Sequence, residues 1–238
     1  MRQKSLLKWL RNTKEINVVK DIKGAIFDMD GTLVDSLMLW NIIWDRFGKL
    51  FCRDGKFEPS SADDKKVRTM TLKDAMDFIH TQYNIGKNGG ELLDAANKIM
   101  IDFYENTVHM KEGALEFIEY CDNLGIEMCI ASATDINLIK IAVKHCNIGK
   151  YFTDIISCAE IGKGKDEPDI YIKAMECLGT SVEDTCVFED SHIAIITADK
   201  LGIKTVGIYD KYNYGQDEIK KTATVYIDNG EELTKLIK

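Results

Sequence analysis

Short apolar runs recur along this chain at 24–27, 126–131, 154–158, 185–188, 204–208 and 224–227. Segments of helical period lie between them at 113–124, 137–146, 169–178 and 193–201. Strand-like and helix-like segments that mostly take turns predict an α/β fold. Its core is a doubly wound, Rossmann-like parallel sheet with helices on both faces. Leu124-Gly125, Leu178-Gly179 and Leu201-Gly202 read as helix ends closed by glycine. The chain has 238 residues, 45% of them hydrophobic, enough for one large core or for a core with a smaller insertion.

The alternation fails between the first two runs. Residues 36–108 carry no convincing strand and read as helices at 37–50, 72–83 and 91–108, with a polar segment, 59–68, linking the first two. The expected organisation is therefore an α/β core built from 22–35 and 109–238, a helical cap from 36–108, and a basic N-terminal extension over 1–21. In open parallel sheets ligands bind beyond the carboxyl ends of the strands. An insertion leaving from that edge is expected to act as a lid that excludes water and supplies specificity contacts.

The net charge of −8 argues against a nucleic-acid partner, while one local cation would still suffice to attract an anionic substrate. The seven cysteines are odd in number, and no C-x-x-C occurs, so a reducing, cytoplasmic location is expected. No run approaches a membrane span. Near the N-terminus, Leu6, Trp9 and Leu10 share one helical face beside a basic stripe of Lys4, Lys8 and Arg11. That pattern reads as a short packed helix or a frayed end before it reads as a docking segment.

Four local features carry chemistry. The run 24–27 leads into Asp28-Met29-Asp30-Gly31, two carboxylates two residues apart where a strand should end and a glycine lets the chain turn. Ser132 follows the second run, Lys165 lies in a polar loop before a helix, and Glu189-Asp190-Ser191 follows the run 185–188. Each has an ordinary reading. Asp30 could stabilise a turn, Ser132 or Thr134 could cap a helix, Lys165 could be solvated, and Asp190 or Ser191 could cap the next helix. Three of the four stand at the ends of apolar strands, however, and a parallel sheet would gather those ends at one edge. Asp28, Asp30 and Asp190 are hard oxygen donors suited to Mg²⁺, while Ser132 and Lys165 can hold phosphate oxygens.

In order and spacing these residues resemble the haloacid dehalogenase-like superfamily, over roughly residues 22–210. Asp28-Met29-Asp30-Gly31-Thr32 is similar to its first motif, Ser132 to its second, Lys165 to its third and Glu189-Asp190 to its fourth. Asp169-Ile170-Tyr171 and Phe188-Glu189-Asp190-Ser191 resemble the phosphatase and β-phosphoglucomutase-like branch. The resemblance implies that Asp28 attacks phosphorus and that Asp30 protonates the leaving oxygen and then activates water. It implies that Asp28, the Asp30 carbonyl and Asp190 bind Mg²⁺, with Glu189 a further ligand or acting through water. Ser132, the Ala133 amide and Lys165 would clamp the transferring group.

The chain departs from the mutase pattern. Trp40 stands where β-phosphoglucomutase carries a cap histidine, Leu72 where it carries a cap arginine, and Asp135 where it carries a lysine, with Arg68 and Lys73 nearby. Fewer cap cations argue for hydrolysis of a small phosphomonoester, a sugar phosphate or similar metabolite, over a mutase that holds two phosphates. A non-catalytic binding module on the same fold is the weaker alternative. Trp40, Arg68 and Lys73 are the candidate substrate-selecting residues, although the helical spacing of Trp40, Trp44 and Phe47 also fits plain cap core.

Overall fold

The computed structural model describes residues 18–68 and 70–237. The pattern expected over residues 4–11 lies outside them. In chain order the elements are β1 (Gly24–Phe27), α1 (Leu39–Phe51), α2 (Ser61–Val67), α3 (Leu72–Tyr83), α4 (Gly89–Asn106), α5 (Ala114–Asn123), β2 (Glu127–Ser132) and α6 (Ile136–His145). They continue as β3 (Asp154–Ser157), α7 (Cys158–Ile161), α8 (Asp169–Leu178), β4 (Thr185–Glu189), α9 (His192–Leu201), β5 (Lys204–Ile208), α10 (Gln216–Thr222) and β6 (Val225–Ile227). The chain separates into two compact units, Ser36–Val108 and the remainder.

The sheet is six-stranded and parallel throughout, in the order β3-β2-β1-β4-β5-β6. β1 is central. The chain winds outward from it through β2 and β3, then resumes at β4 on its other side and winds outward through β5 and β6. The strand order therefore reverses between β1 and β4, which is where open α/β sheets form a crevice.

Each face of the sheet buries a distinct set of side chains. On one, Ile26, Cys129 and Val187 pack with Ile170, Ala174 and Ala194 of α8 and α9. On the other, the Phe27 and Phe188 rings stack at 4.5 Å, and Phe117 and Phe152 meet Phe27 edge-on at 6.2 and 6.1 Å. Such ring pairs add to the area they bury. Glu189 follows Phe188 within β4, so its side chain lies on the opposite face from this aromatic layer, with Val187.

The helical unit differs from expectation in one place. The polar segment 59–68 contains a helix, α2, started by Ser60, whose hydroxyl accepts the Asp63 amide at 3.2 Å. Only Val67 of α2 is buried, so there was no apolar stripe to reveal it. α10 was also unforeseen, for the same reason: Ile219 is its one buried residue. The third strand stops one residue early, because Ser157 caps α7 in a capping box with Glu160.

Candidate active site

β1 ends at Phe27, so both Asp28 and Asp30 lie past the end of the strand. A turn places Asp30 instead. The Leu33 and Val34 amides donate to the Met29 carbonyl at 2.9 and 3.0 Å, and the Gly31 amide donates to the Val34 carbonyl at 2.9 Å. Gly31 sits at φ +84°, a conformation that L side chains rarely adopt. The Asp28 amide donates to the Phe188 carbonyl at 2.9 Å, which continues the β1–β4 pairing and holds position 28 beside β4.

Lys165, 137 residues along the chain, pairs with Asp28 and donates to Glu189 Oε1 at 2.6 Å. It is therefore not a solvated loop lysine; its side chain is 10% exposed. Glu189 Oε2 accepts the amides of Asp190 and Ser191 at 2.8 and 3.1 Å. Asp190 is buried beside it. Asn213 Nδ2 donates to the Asp190 carbonyl at 2.9 Å and to its Oδ2 at 2.7 Å, and Thr32 Oγ1 approaches Oδ1 at 3.5 Å.

Ser132 closes β2 in register with Ser157 and is buried, its Oγ accepting the Thr134 amide at 3.1 Å. Ala133 is exposed. The Thr134 hydroxyl donates to Asp30 Oδ2 at 2.7 Å, tying the β2 loop to the β1 turn. The following helix is capped by Asp135, which accepts the Asn137 amide at 2.9 Å, so neither Ser132 nor Thr134 serves as its cap. Ser191 holds the N-cap position of α9 without a side-chain cap bond.

The electrostatics are one-sided. Burial, reinforced by the Glu189 charge, pushes Asp28 up to about 8, and the same two causes raise Asp190 well above the usual carboxylate range. Burial alone would lower Lys165, but Asp28 and Glu189 outweigh it and hold its ammonium well above the usual lysine range. Asp28, Glu189 and Asp190 offer oxygens within 4.8 Å of one another, the group of that kind found among the described residues. Three buried carboxylates against one ammonium leave an excess of negative charge that costs desolvation energy. A hard divalent cation would offset that excess, and an all-oxygen donor set suits Mg²⁺. The residues present therefore fit such an ion.

The family profile described as "Haloacid dehalogenase-like hydrolase" matches residues 25–208. The chain belongs to that family. Among curated relatives of this haloacid dehalogenase-like hydrolase is the phosphorylated carbohydrates phosphatase of Thermotoga maritima, 23% identical over 222 residues, covering 91% of this chain and 99% of that protein. Another is phosphoglycolate phosphatase 1 of Pseudomonas aeruginosa, 24% identical, covering 88% of this chain and 77% of the relative. Among solved structures, CbbY of Rhodobacter sphaeroides in complex with xylulose-1,5-bisphosphate superposes with a TM-score of 0.71 at 18% identity, covering 87% of this chain and 94% of that one. Among the described residues of this hydrolase, no helix is long and apolar enough to cross a membrane.

The candidate specificity residues lie in the helical unit. Arg68 is held by Asp64, its Nε at 2.8 Å from Oδ2, and donates to the Leu37 carbonyl at 3.4 Å, with its Cζ 5.8 Å from the Trp40 ring centre. Lys73 pairs with Asp77 at 2.8 Å on an exposed face, apart from that group. Trp44 and Phe47 are buried, and Trp44 donates its indole N–H to Asp64 Oδ1 at 2.8 Å, so these two rings are core of the unit. Sequence reasoning missed Thr32 and Asn213 and took Thr134 only as a possible cap. The signal for Asn213 was positional: it lies just past the carboxyl end of β5, on the edge where the other strands present their polar groups.

Proposed function

We propose that this hydrolase is a Mg²⁺-dependent phosphatase that cleaves a small phosphomonoester, a sugar phosphate or similar metabolite, through an aspartyl-phosphate. The observation that carries the reading is the meeting of Asp28, Lys165, Glu189 and Asp190 at the β1/β4 reversal. Two phosphatases among the relatives support the substrate class.

An Asp28 carboxylate oxygen bonds to phosphorus as the ester P–O bond breaks. Asp30 gives its proton to the departing oxygen. A water then attacks the aspartyl-phosphate, giving its proton back to Asp30, and the bond between phosphorus and Asp28 breaks to release inorganic phosphate. Ser132, the Ala133 amide and Lys165 hold the phosphoryl oxygens. Asp28, Asp190 and the Asp30 carbonyl would hold Mg²⁺. It would supply positive charge beside the phosphoryl group, offsetting repulsion between that group and the attacking carboxylate. Both Glu189 oxygens already carry hydrogen bonds, so we assign Glu189 to anchoring Lys165, with any contact to the ion through water.

Residues 36–108 would act as the cap that selects substrate, with Trp40 and Arg68 the leading candidates. Arg68 and Lys73 are already paired with Asp64 and Asp77, which favours hydrolysis over a mutase that must grip a second phosphate. Seven unpaired thiols fit the reducing cytoplasm.

The test is turnover of p-nitrophenyl phosphate by the purified chain. Activity should appear with Mg²⁺, vanish with EDTA, and be absent in folded Asp28→Asn, whose amide is a far poorer nucleophile. Undiminished turnover in that variant would refute the assignment. With a β-hexose 1-phosphate, free phosphate should form without a 6-phosphate product.

A further inference from the structure

Lys111 follows shortly after the boundary where the chain re-enters the α/β unit, and none of the four motifs includes it. Its side chain is 19% exposed, and its ammonium meets three acceptors: the Gly31 carbonyl at 2.7 Å, Asp210 Oδ2 at 2.8 Å and the Tyr209 carbonyl at 3.2 Å. A lysine ammonium has three N–H donors, so every one is used. Asp210 is buried and held in turn, its Oδ1 accepting the Tyr212 amide at 2.8 Å. The Lys111 amide also donates to the Leu33 carbonyl at 2.8 Å, inside the same turn.

The consequence falls on Gly31. Glycine has the widest torsional freedom of any residue, and this one adjoins Asp30. Its N–H is fixed by the Val34 carbonyl and its C=O by the Lys111 ammonium, so both peptide planes flanking it are pinned. Loss of the ammonium would leave the second plane held only by the Thr32 amide, which donates to the Met29 carbonyl at 3.3 Å, and would leave Asp210 buried without its counter-charge. We propose that Lys111, backed by Asp210, is a positioning residue that sets where the Asp30 carboxyl stands. The proposal rests on the acid–base role given to Asp30 above.

Leaving-group dependence separates positioning from general damage. A displaced Asp30 fails to protonate a poor leaving oxygen, whereas dinitrophenolate departs without a proton. In single turnover, which reads the first chemical step alone, Lys111→Met should slow cleavage of phenyl phosphate by about tenfold or more and that of 2,4-dinitrophenyl phosphate by less than about threefold. Asp210→Asn should show the same bias, more weakly, and carries the measurement if Lys111→Met does not fold. Equal losses on both substrates, or none, would overturn the proposal. An activity-free readout keeps the two readings apart: amide hydrogen exchange across 29–34 should quicken in either variant. If wild type cleaves neither ester, the phosphatase reading fails while exchange still judges Lys111; unchanged exchange overturns the positioning role in any case.

Discussion

Lys165 stands between Asp28 and Glu189 with little access to solvent, and the charge arithmetic around it explains much of the site's chemistry. One ammonium cannot neutralise three buried carboxylates, so Asp28 and Asp190 are pushed toward their neutral forms until further positive charge arrives. Asp30 is placed differently. It is half-buried and accepts a hydrogen bond from Thr134. With the acid–base role proposed for it, Asp30→Asn should cut steady-state phosphate release by roughly a hundredfold or more, because both proton transfers would be lost. Full activity in that variant would show that the acid–base group lies elsewhere. Asp28, Asp30, Glu189 and Asp190 were legible because paired acidic residues directly after apolar runs are conspicuous. Thr134, Lys111 and Asn213 were not, since each works through a partner between 23 and 104 residues away.

At the level of elements, agreement tracks how strongly a segment's pattern is imposed by burial. β1, α3, α8 and β5 have the bounds their patterns predict, and the other anticipated elements differ by a residue or two at their ends. α2 and α10 escaped because a polar helix with one buried side chain has almost no periodicity to read. Close backbone approach was equally invisible. At Gly48 in α1, an added Cβ would meet backbone atoms of the 55–57 loop: Phe57 N at 2.6 Å, the Lys56 carbonyl carbon at 2.7 Å and Gly55 O at 2.8 Å. Alanine would gain up to about 1 kcal/mol of helix propensity over glycine. Backbone cannot rotate aside as a side chain can, so overpacking of about 1–3 kcal/mol should win. Gly48→Ala is expected to melt lower, by roughly 2–4 °C for each kcal/mol in a chain of this size. An equal or higher melting temperature would show that the loop yields freely.

For the molecule as a whole, the chain divides into two compact units whose sequence boundaries fall at 35/36 and 108/109. The cysteines give this scale its own test. Cys121, Cys129, Cys158 and Cys186 are buried, whereas Cys52, Cys146 and Cys177 are half-buried. Burial pushes the Cys121 thiol up to about 12 and raises those of Cys129, Cys158 and Cys186 as well. At pH 8 a thiol titrating near 12 is ionised to only about one part in ten thousand, and the thiolate is the reactive form. Native protein should therefore react quickly with an aromatic disulfide reagent at no more than the three half-buried thiols, and the buried four should follow only on unfolding. Rapid native reaction of all seven would contradict the packing.

Alternating periodicity determined the α/β class, because a parallel sheet buried on both faces forces helix and strand to take turns. Local order determined that acidic, hydroxyl and basic groups would stand near strand ends. The tertiary structure decided which of them meet. Lys165 lies 137 residues from Asp28 and 24 from Glu189, and their contact exists because β1 and β4 are neighbours in the sheet. The tertiary structure also decided how the Asp30 turn is held, by a lysine from the chain's return into the sheet unit and a hydroxyl from the loop after β2. Hydrogen bonds and ion pairs act over a few ångströms and carry no periodicity, so their partners are set by strand order and packing rather than by any pattern along the chain.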